Sequence, residues 1–427
     1  MAFTHSMLFA LILFAVTYVL MVVLSEHRCY VALASAAVFV ALGIVPLGAV
    51  FTTVDWNILL MLFGTMGVVS FFIASKMPNR LAEQLLGICP TTVWAVVAMS
   101  LFAGIISAFV DNVATVLMIA PVGLVIAKKL NMSPVAMLIT IAVSSNLQGA
   151  ATLVGDTTSI MLGSYAGMDF LDFFFWQGKP SIFWAVEISA LATVPVILIL
   201  FRKNREPISA QVTTQVTDYF PTWLLLGIIV LLICASFLPD KPAITNGLIC
   251  TGLFVIGILR YALRDKSWAA TRVALKETDW ATLLLLASLF VVIEGINRAG
   301  VIDKIAELFV TIGGNNLFLL YTIIVWVSVL CSAFIDNIPY VATMLPVVTG
   351  IAAAAGHSPE VLYFGLLTGA TLGGNLTPIG ASANIAAIGI LRKEGNRVSF
   401  GDFMRIGVPF TLIAVLCGYL FCWLVWA

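Results

Sequence analysis

Apolar runs near 20 residues, the length an α-helix needs to cross the hydrocarbon core of a bilayer, recur along this chain and limit its possible folds more than any other feature. Clear candidates are 7–24, 30–50, 57–75, 182–201, 222–238, 244–262, 280–297 and 406–426. Two further stretches, 133–165 and 361–390, are long but interrupted by Gly, Asn, Thr, Asp or Pro and read as broken spans, so the pattern predicts ten crossings. Only 10% of the 427 residues are charged and 61% are hydrophobic, with a mean hydropathy of +1.10. A soluble domain keeps roughly a quarter of its residues charged, so lipid is the main solvent here. The formal net charge is zero, which leaves no bulk field to draw nucleic acid. Seven scattered cysteines with no CxxC, and three histidines (His5, His27, His357) in loops or at a terminus, offer no clustered zinc or haem ligands, so no cofactor is expected. The chain opens directly on an apolar run without a basic n-region, which reads as a retained span rather than a signal peptide.

Two segments do not fit a single crossing. In 93–127 two short apolar arms flank Asp111-Asn112, and in 317–353 they flank Asp336-Asn337. A polar pair between short arms predicts a helical hairpin that enters and leaves by one face, since irregular backbone at membrane depth must be buried in protein or line a wet cavity. The basic residues agree. With ten spans and two hairpins, one face receives Arg28, Lys76, Arg80, Lys128, Lys129, Arg202, Lys203, Arg205 and the basic residues of 260–276 and 392–405. The other receives Lys179, Lys241, Arg298 and Lys304. The positive-inside rule makes the first face cytoplasmic, with both termini outside a cell (inner) membrane.

An internal repeat runs at one spacing. Asp55-Trp56 matches Asp279-Trp280, 224 residues on; Ser107-Ala108-Phe109-x-Asp111-Asn112 matches Ser332-Ala333-Phe334-x-Asp336-Asn337, 225 on; Gly149, Thr152 and Gly155 match Gly374, Thr377 and Gly380. This divides the chain into a first span and loop (1–29), repeat 1 (30–201), a polar linker with a connecting span (202–243) and repeat 2 (244–427). The 57–75 span and its mate 280–297 run in opposite senses by the topology above, so the repeats are inverted. The expected fold is an all-α polytopic membrane protein with two re-entrant hairpins and two broken helices. Inverted repeats with discontinuous helices are the arrangement of secondary transporters. No GxxxxGK[ST] occurs for ATP drive, and no catalytic constellation points to an enzyme.

The expected site lies at the hairpin tips and helix breaks. A carboxylate at membrane depth costs several kcal/mol, yet Asp111 and Asp336 stand at equivalent points of the repeat, and Asp156 adds a third. They can cap helices and also bind a cation. Asn112 and Asn337 orient the tips. The broken spans, Asn146 to Met161 (NLQGAATLVGDTTSIM) and Gly373 to Asn384 (GGNLTPIGASAN), add Asn146, Thr152, Thr157, Thr158, Ser159, Asn375, Thr377, Ser382 and Asn384 as oxygen-bearing candidates. Hard cations take such ligands, with Asp111, Asp156 and Asp336 as the transported-cation ligands. Glu187 and Glu294 are weaker candidates, and Asp55 and Asp279 read as helix caps. No Lys, Arg or His falls in the central region of a span, so the site is expected to lack a basic side chain and to favour a cation, a proton or a neutral solute. A deep carboxylate that exchanges a proton for a metal ion gives the simplest antiport.

At SAFVDNVATVLMIAPV, SAFIDNIPYVATMLPVV and GGNLTPIGASAN the chain resembles the ion transporter superfamily, in the branch of arsenite permeases, sodium–proton antiporters and the melanosomal P protein. That resemblance covers about 30–400. It implies a homodimer with a scaffold and a mobile transport part, working by an elevator-type movement. Related divalent-anion sodium symporters carry Ser-Asn-Thr at the tips, where this chain has Asp111-Asn112-Val113 and Asp336-Asn337-Ile338. GDTTSIM is similar to the GDxTTxM run of the antiporters. The leading expectation is Na⁺/H⁺-type antiport. Proton-driven efflux of arsenite or a similar small oxyacid and Na⁺-coupled anion symport are the alternatives.

Overall fold

A computed structural model describes residues 5–129, 133–203, 206–207 and 213–427. Arg205 and much of the expected linker loop 202–221 lie outside the described residues, as does the side chain of Lys129. Helices α1 (His5–Val23) and α2 (Arg28–Ala41) meet at a bend of 113°. The run expected over 30–50 is shorter than a span: α2 has 14 residues, and the chain then turns at Gly43 (φ +69°) and Pro46 before the one-turn α3 (Val50–Thr53). At 1.5 Å per residue α2 covers about 21 Å of a core near 30 Å thick.

The first repeat continues with α4 (Trp56–Ala74) and an amphipathic α5 (Met77–Gly87). Next come the hairpin α6 (Thr92–Ser107) and α7 (Asn112–Lys129), and the broken span α8 (Pro134–Gly149) and α9 (Thr157–Ala166). Strands β1 (Phe175–Trp176) and β2 (Lys179–Pro180) form a small antiparallel turn, and α10 (Ile182–Leu200) ends this half. Helices α11 (Phe220–Ser236), α12 (Thr245–Asp265) and α13 (Ala269–Glu277) lead into α14 (Trp280–Arg298) and α15 (Val301–Gly313). The second hairpin is α16 (Leu317–Ser332) and α17 (Asn337–Ala355), the second broken span α18 (Glu360–Leu367) and α19 (Ser382–Lys393), and α20 (Phe400–Trp426) closes the chain. Among the described residues, six helices are individually long and apolar enough to cross a bilayer: α4, α10, α12, α14, α17 and α20. One of them, α17, is a hairpin arm, so apolar length alone does not separate a crossing from a re-entrant segment.

The repeat persists in detail. Asp55 and Asp279 cap their helices as expected, accepting from Ile58 N (3.1 Å) and Thr282 N (3.0 Å). The indoles of Trp56 and Trp280 each donate to the carbonyl five residues back, Phe51 and Leu275. Packing exchanges partners between halves: α12 lies along α4, and α2 lies along α14. Polar groups fix the first contact, with Asn57 Oδ1 accepting from Gly247 N and Thr251 donating to Leu60 O. The loops expected on the basic face do meet one another. Thr213 and Thr214 donate to Glu83, Arg260 and Arg264 hold Asp218, Thr217 bonds Ser75 O, and Lys128 pairs with Glu394 at 2.6 Å.

Candidate functional site

Each hairpin tip rests on the helix break of its own half, backbone against backbone. Thr152 donates its hydroxyl to Ala108 O, and Thr377 does the same to Ala333 O. Gly155 lies where a Cβ would stand 2.5 Å from Gly149 O and 2.7 Å from the carbonyl oxygens of Ser107 and Ala108; Gly380 faces Gly374, Ser332 and Ala333 in the same way. Only a residue without Cβ permits this approach. The two breaks are then locked together across the halves. Asn146 Nδ2 donates to Thr371 O (2.7 Å) and Asn375 Oδ1 (3.1 Å), Asn375 Nδ2 donates to Val143 O (2.8 Å), and Asn112 Nδ2 donates to Asn146 Oδ1 (2.9 Å).

Helices α7, α9, α17 and α19 begin at Asn112, Thr157, Asn337 and Ser382, and all four of these residues line one cavity of about 570 Å³. Their N-termini turn the positive ends of the helix dipoles towards it. The cavity extends past Thr65, Ser70 and Ile73 on α4 to Glu277, Asp279 and Thr282. Among the described residues, four carboxylates line it, those of Asp111, Asp156, Glu277 and Asp279, and no Lys, Arg or His does. Glu277 is held by the Ser70 hydroxyl at 2.5 Å.

The three deep aspartates have unlike surroundings. Asp111 Oδ2 caps α7, accepting from Val113 N (3.0 Å) and Ala114 N (3.2 Å), and no side chain among the described residues bonds it. Asp156 Oδ2 accepts from Thr158 Oγ1 (3.1 Å) and, across the halves, from Asn337 Nδ2 (3.3 Å). Beside it the Thr157 hydroxyl is buried, has no hydrogen-bond partner among the described residues and lines the cavity. Asp336 caps α17 through Ile338 N (3.1 Å), but its Oδ2 also takes the Ser382 hydroxyl (2.7 Å) and Arg28 Nη1 (2.6 Å). This corrects the expectation of a site without a basic side chain. Arg28 opens α2, and because α2 packs on α14, its guanidinium reaches the second tip. Among the described residues, Asp111, Asp156 and Asp336 do not converge as a three-ligand metal cluster.

Of the other expected residues, Asn112, Thr157, Asn337 and Ser382 line the cavity. Asn146, Thr152, Asn375 and Thr377 are engaged in the contacts that seat and lock the breaks. Thr158 bridges Asp156 and Thr371 Oγ1, Ser159 donates to Gly149 O, and Asn384 donates to Gly374 O and Thr377 O. Glu187 lies on α10, outside the cavity lining. Arg28, Glu277, Asp279, Thr65, Ser70 and Thr282 are the site neighbours that pattern reading did not select. Of these only Asp279 carried a signal, its place in the repeated Asp-Trp pair.

A second cavity of about 370 Å³ is lined by Asp55, Ile58, Phe290, Ile293, Glu294 and Asn297, which stand one repeat away from Asp279, Thr282, Met66, Val69, Ser70 and Ile73 of the first. The first cavity thus joins the C-terminal half of α4 to the start of α14, and the second joins the start of α4 to the C-terminal half of α14. The two mates are antiparallel, which makes the repeat inverted. The second cavity does not reach the tips: Ser164 of α9 bonds Asp55, and Glu294 pairs with Arg298 at 2.5 Å.

Paired hairpins on paired helix breaks, with a carboxylate-bearing cavity at their tips in a lipid-solvated bundle, define a membrane transporter and not an enzyme. The chain belongs to the citrate transporter family (CitMHS), whose sequence profile matches residues 9–369. It is 32% identical over 430 residues to a 46 kDa membrane protein of Mycobacterium leprae, covering 97% of this chain and 98% of that protein. It is 28% identical over 492 residues to the P protein of Homo sapiens, covering 94% of this chain and 58% of that protein. The crystal structure of the Alcanivorax borkumensis YdaH transporter superposes with a TM-score of 0.62 over 98% of both chains at 13% identity, a likeness of fold. The resemblance to the ion transporter superfamily therefore holds.

Proposed function

We propose that this transporter carries a small cation in exchange for protons, in the manner of a Na⁺/H⁺ antiporter, with Asp111 and Asp156 as the exchanging groups. One observation carries the reading: the cavity at the tips is lined by four carboxylates and no basic residue. Such a lining concentrates cations and repels a multiply charged anion. Thr157, with its unpartnered hydroxyl, and the backbone carbonyls at the helix breaks supply further oxygen ligands. A proton taken up by Asp111 releases the cation, and the four-carboxylate passage to Glu277 is its route to one face. The two repeat-related cavities support alternating access, with the hairpins and broken helices moving as an elevator against α2, α4, α12 and α14. A homodimer, and a cell membrane with both termini outside, complete the proposal.

The test is reconstitution in vesicles holding a pH dye, with Na⁺, Li⁺, K⁺, arsenite or citrate added in turn. A pH change with Na⁺ or Li⁺ that is lost in Asp111→Asn is expected. Arsenite accumulation in inverted vesicles without any cation response would overturn the reading. The family's description, citrate transporter, favours a second reading, transport of citrate, here as the Na⁺-coupled anion symport expected as an alternative. Four helix N-termini facing one cavity could hold a carboxylate, and citrate accumulation dependent on that cation is its signature.

A further inference from the structure

The two tips are equivalent in sequence but unequal in charge. Both aspartates cap the second arm of their hairpin through backbone N–H groups, and both hairpins sit on their breaks through the same threonine and glycine contacts. Beyond that the symmetry fails. Among the described residues Asp111 has backbone donors only, and it faces the cavity. Asp336 Oδ2 is shared by Arg28 Nη1 at 2.6 Å and Ser382 Oγ at 2.7 Å, and Arg28 Nη2 bonds that hydroxyl at 3.3 Å, so guanidinium, hydroxyl and carboxylate close a ring. The guanidinium is permanently protonated, and Asp111 has no such partner among the described residues. Its origin is also one-sided. It comes from α2, packed on α14, whereas α12, which takes the corresponding place along α4, has no charged residue from Thr245 to Leu259.

We infer that Arg28 is a built-in cation at the second tip, so that one protomer takes its cargo cation at Asp111 alone, where the repeat by itself would provide two sites. This rests on the cation reading of the Asp111 cavity and assigns its stoichiometry. Removal of the guanidinium exposes a latent cation site made of the Asp336 carboxylate and the Ser382 hydroxyl. Arg28 is thereby a specificity-determining residue, and its effect is read as cation binding rather than as transport rate.

The experiment follows thermal unfolding of the full-length protein in detergent as Na⁺, Li⁺, Mg²⁺ or Ca²⁺ is titrated at constant ionic strength. A ligand that binds only the folded state raises the midpoint. Wild type is expected to shift upward with at least one of these cations, and Asp111→Asn to lose that shift. Asp111→Asn combined with Arg28→Met regains a shift, which disappears again on adding Asp336→Asn. Asp111→Asn with Arg28→Lys, which keeps the positive charge, stays unresponsive. If Asp111→Asn alone keeps the wild-type shift, the cation reading of the first tip falls, and the Arg28→Met arm still reports on the second. A folded, monodisperse Asp111→Asn/Arg28→Met protein that responds to none of the four cations overturns the inference, as does a response in Arg28→Lys equal to that in Arg28→Met. Should Arg28→Met fail to fold, Arg28→Gln in the Asp111→Asn background carries the same outcomes.

Discussion

A methyl group added at Gly155 tests how the hairpin is seated. Its Cβ would lie 2.5 Å from Gly149 O and 2.7 Å from Ser107 O and Ala108 O, whereas ordinary contact begins at 3.4 Å. Three oxygens must therefore retreat by 0.7–0.9 Å (3.4 less 2.7 and less 2.5). All three are backbone carbonyls, so no side chain can rotate out of the way. The retreat also stretches the Thr152–Ala108 hydrogen bond that closes the same contact. Overpacking of this kind costs about 1–3 kcal/mol, and three rigid neighbours place Gly155→Ala at the upper end. Displacement of a bound group by about 1 Å can cost roughly 100-fold in a positioned reaction, so transport is expected to fall by more than stability alone accounts for. The assay is thermal unfolding in detergent, paired with initial transport rates in vesicles. Gly380→Ala is expected to behave alike, and Gly389→Ala, with nothing within 4 Å of its Cβ, to be neutral or slightly stabilising. A Gly155→Ala protein that melts and transports like Gly389→Ala would refute the backbone-on-backbone seat.

Asn146→Ala should unlock the two breaks from one another, because it strands Thr371 O, the Asn112 amide and Asn375 Oδ1 together. Buried unpaired groups cost about 1–3 kcal/mol each, so the thermal midpoint should fall well beyond that of Ser159→Ala, whose bond to Gly149 O is 3.5 Å long. On the loop face, partial burial acts to raise the Asp218 carboxyl, but hydrogen bonds from Arg260, Phe220 N and Tyr261 outweigh it and hold the group below the usual carboxylate range. A depressed folded-state value means the clip stabilises above the ordinary carboxylate range and is lost as the pH falls through the depressed one. Asp218→Asn should therefore lower the stability at pH 7 by about 1 kcal/mol given solvent and salt screening, and the difference in thermal midpoint from wild type should shrink as the medium is acidified towards pH 3.

Much of this architecture is legible in the sequence, because membrane folds follow local rules. Apolar length set the spans, Asp-Asn pairs between short arms located both tips to the residue, and Gly149, Thr152 and Gly155 recurring at Gly374, Thr377 and Gly380 identified the breaks. The amphipathic helices α5, α13 and α15 were not drawn from the pattern, since their apolar faces are short and carry no span signal. The apolar run 30–50 outlasts its helix, because apolar residues continue past Gly43 and Pro46, where α2 has already ended.

The site was legible in part and for a definable reason. Asp111, Asp156 and Asp336 announce themselves individually, since burying a carboxylate in an apolar stretch is costly wherever it points. What each one faces depends on which distant segments pack beside it. Arg28 and Asp336 are 308 residues apart, Asn337 and Asp156 are 181 apart, and Asn146 and Asn375 are 229 apart. From sequence alone the two tips are equivalent and the site has no basic residue. The exchange of packing partners, α2 onto α14 and α12 onto α4, brings a guanidinium to one tip and leaves the other open to a carboxylate-lined cavity. The chain itself thus determined its spans, its repeat and the carboxylates at its centre, through hydrophobic length and desolvation cost. Only the tertiary structure made those carboxylates unequal, because charge pairing acts over a few ångströms of space and not along the sequence.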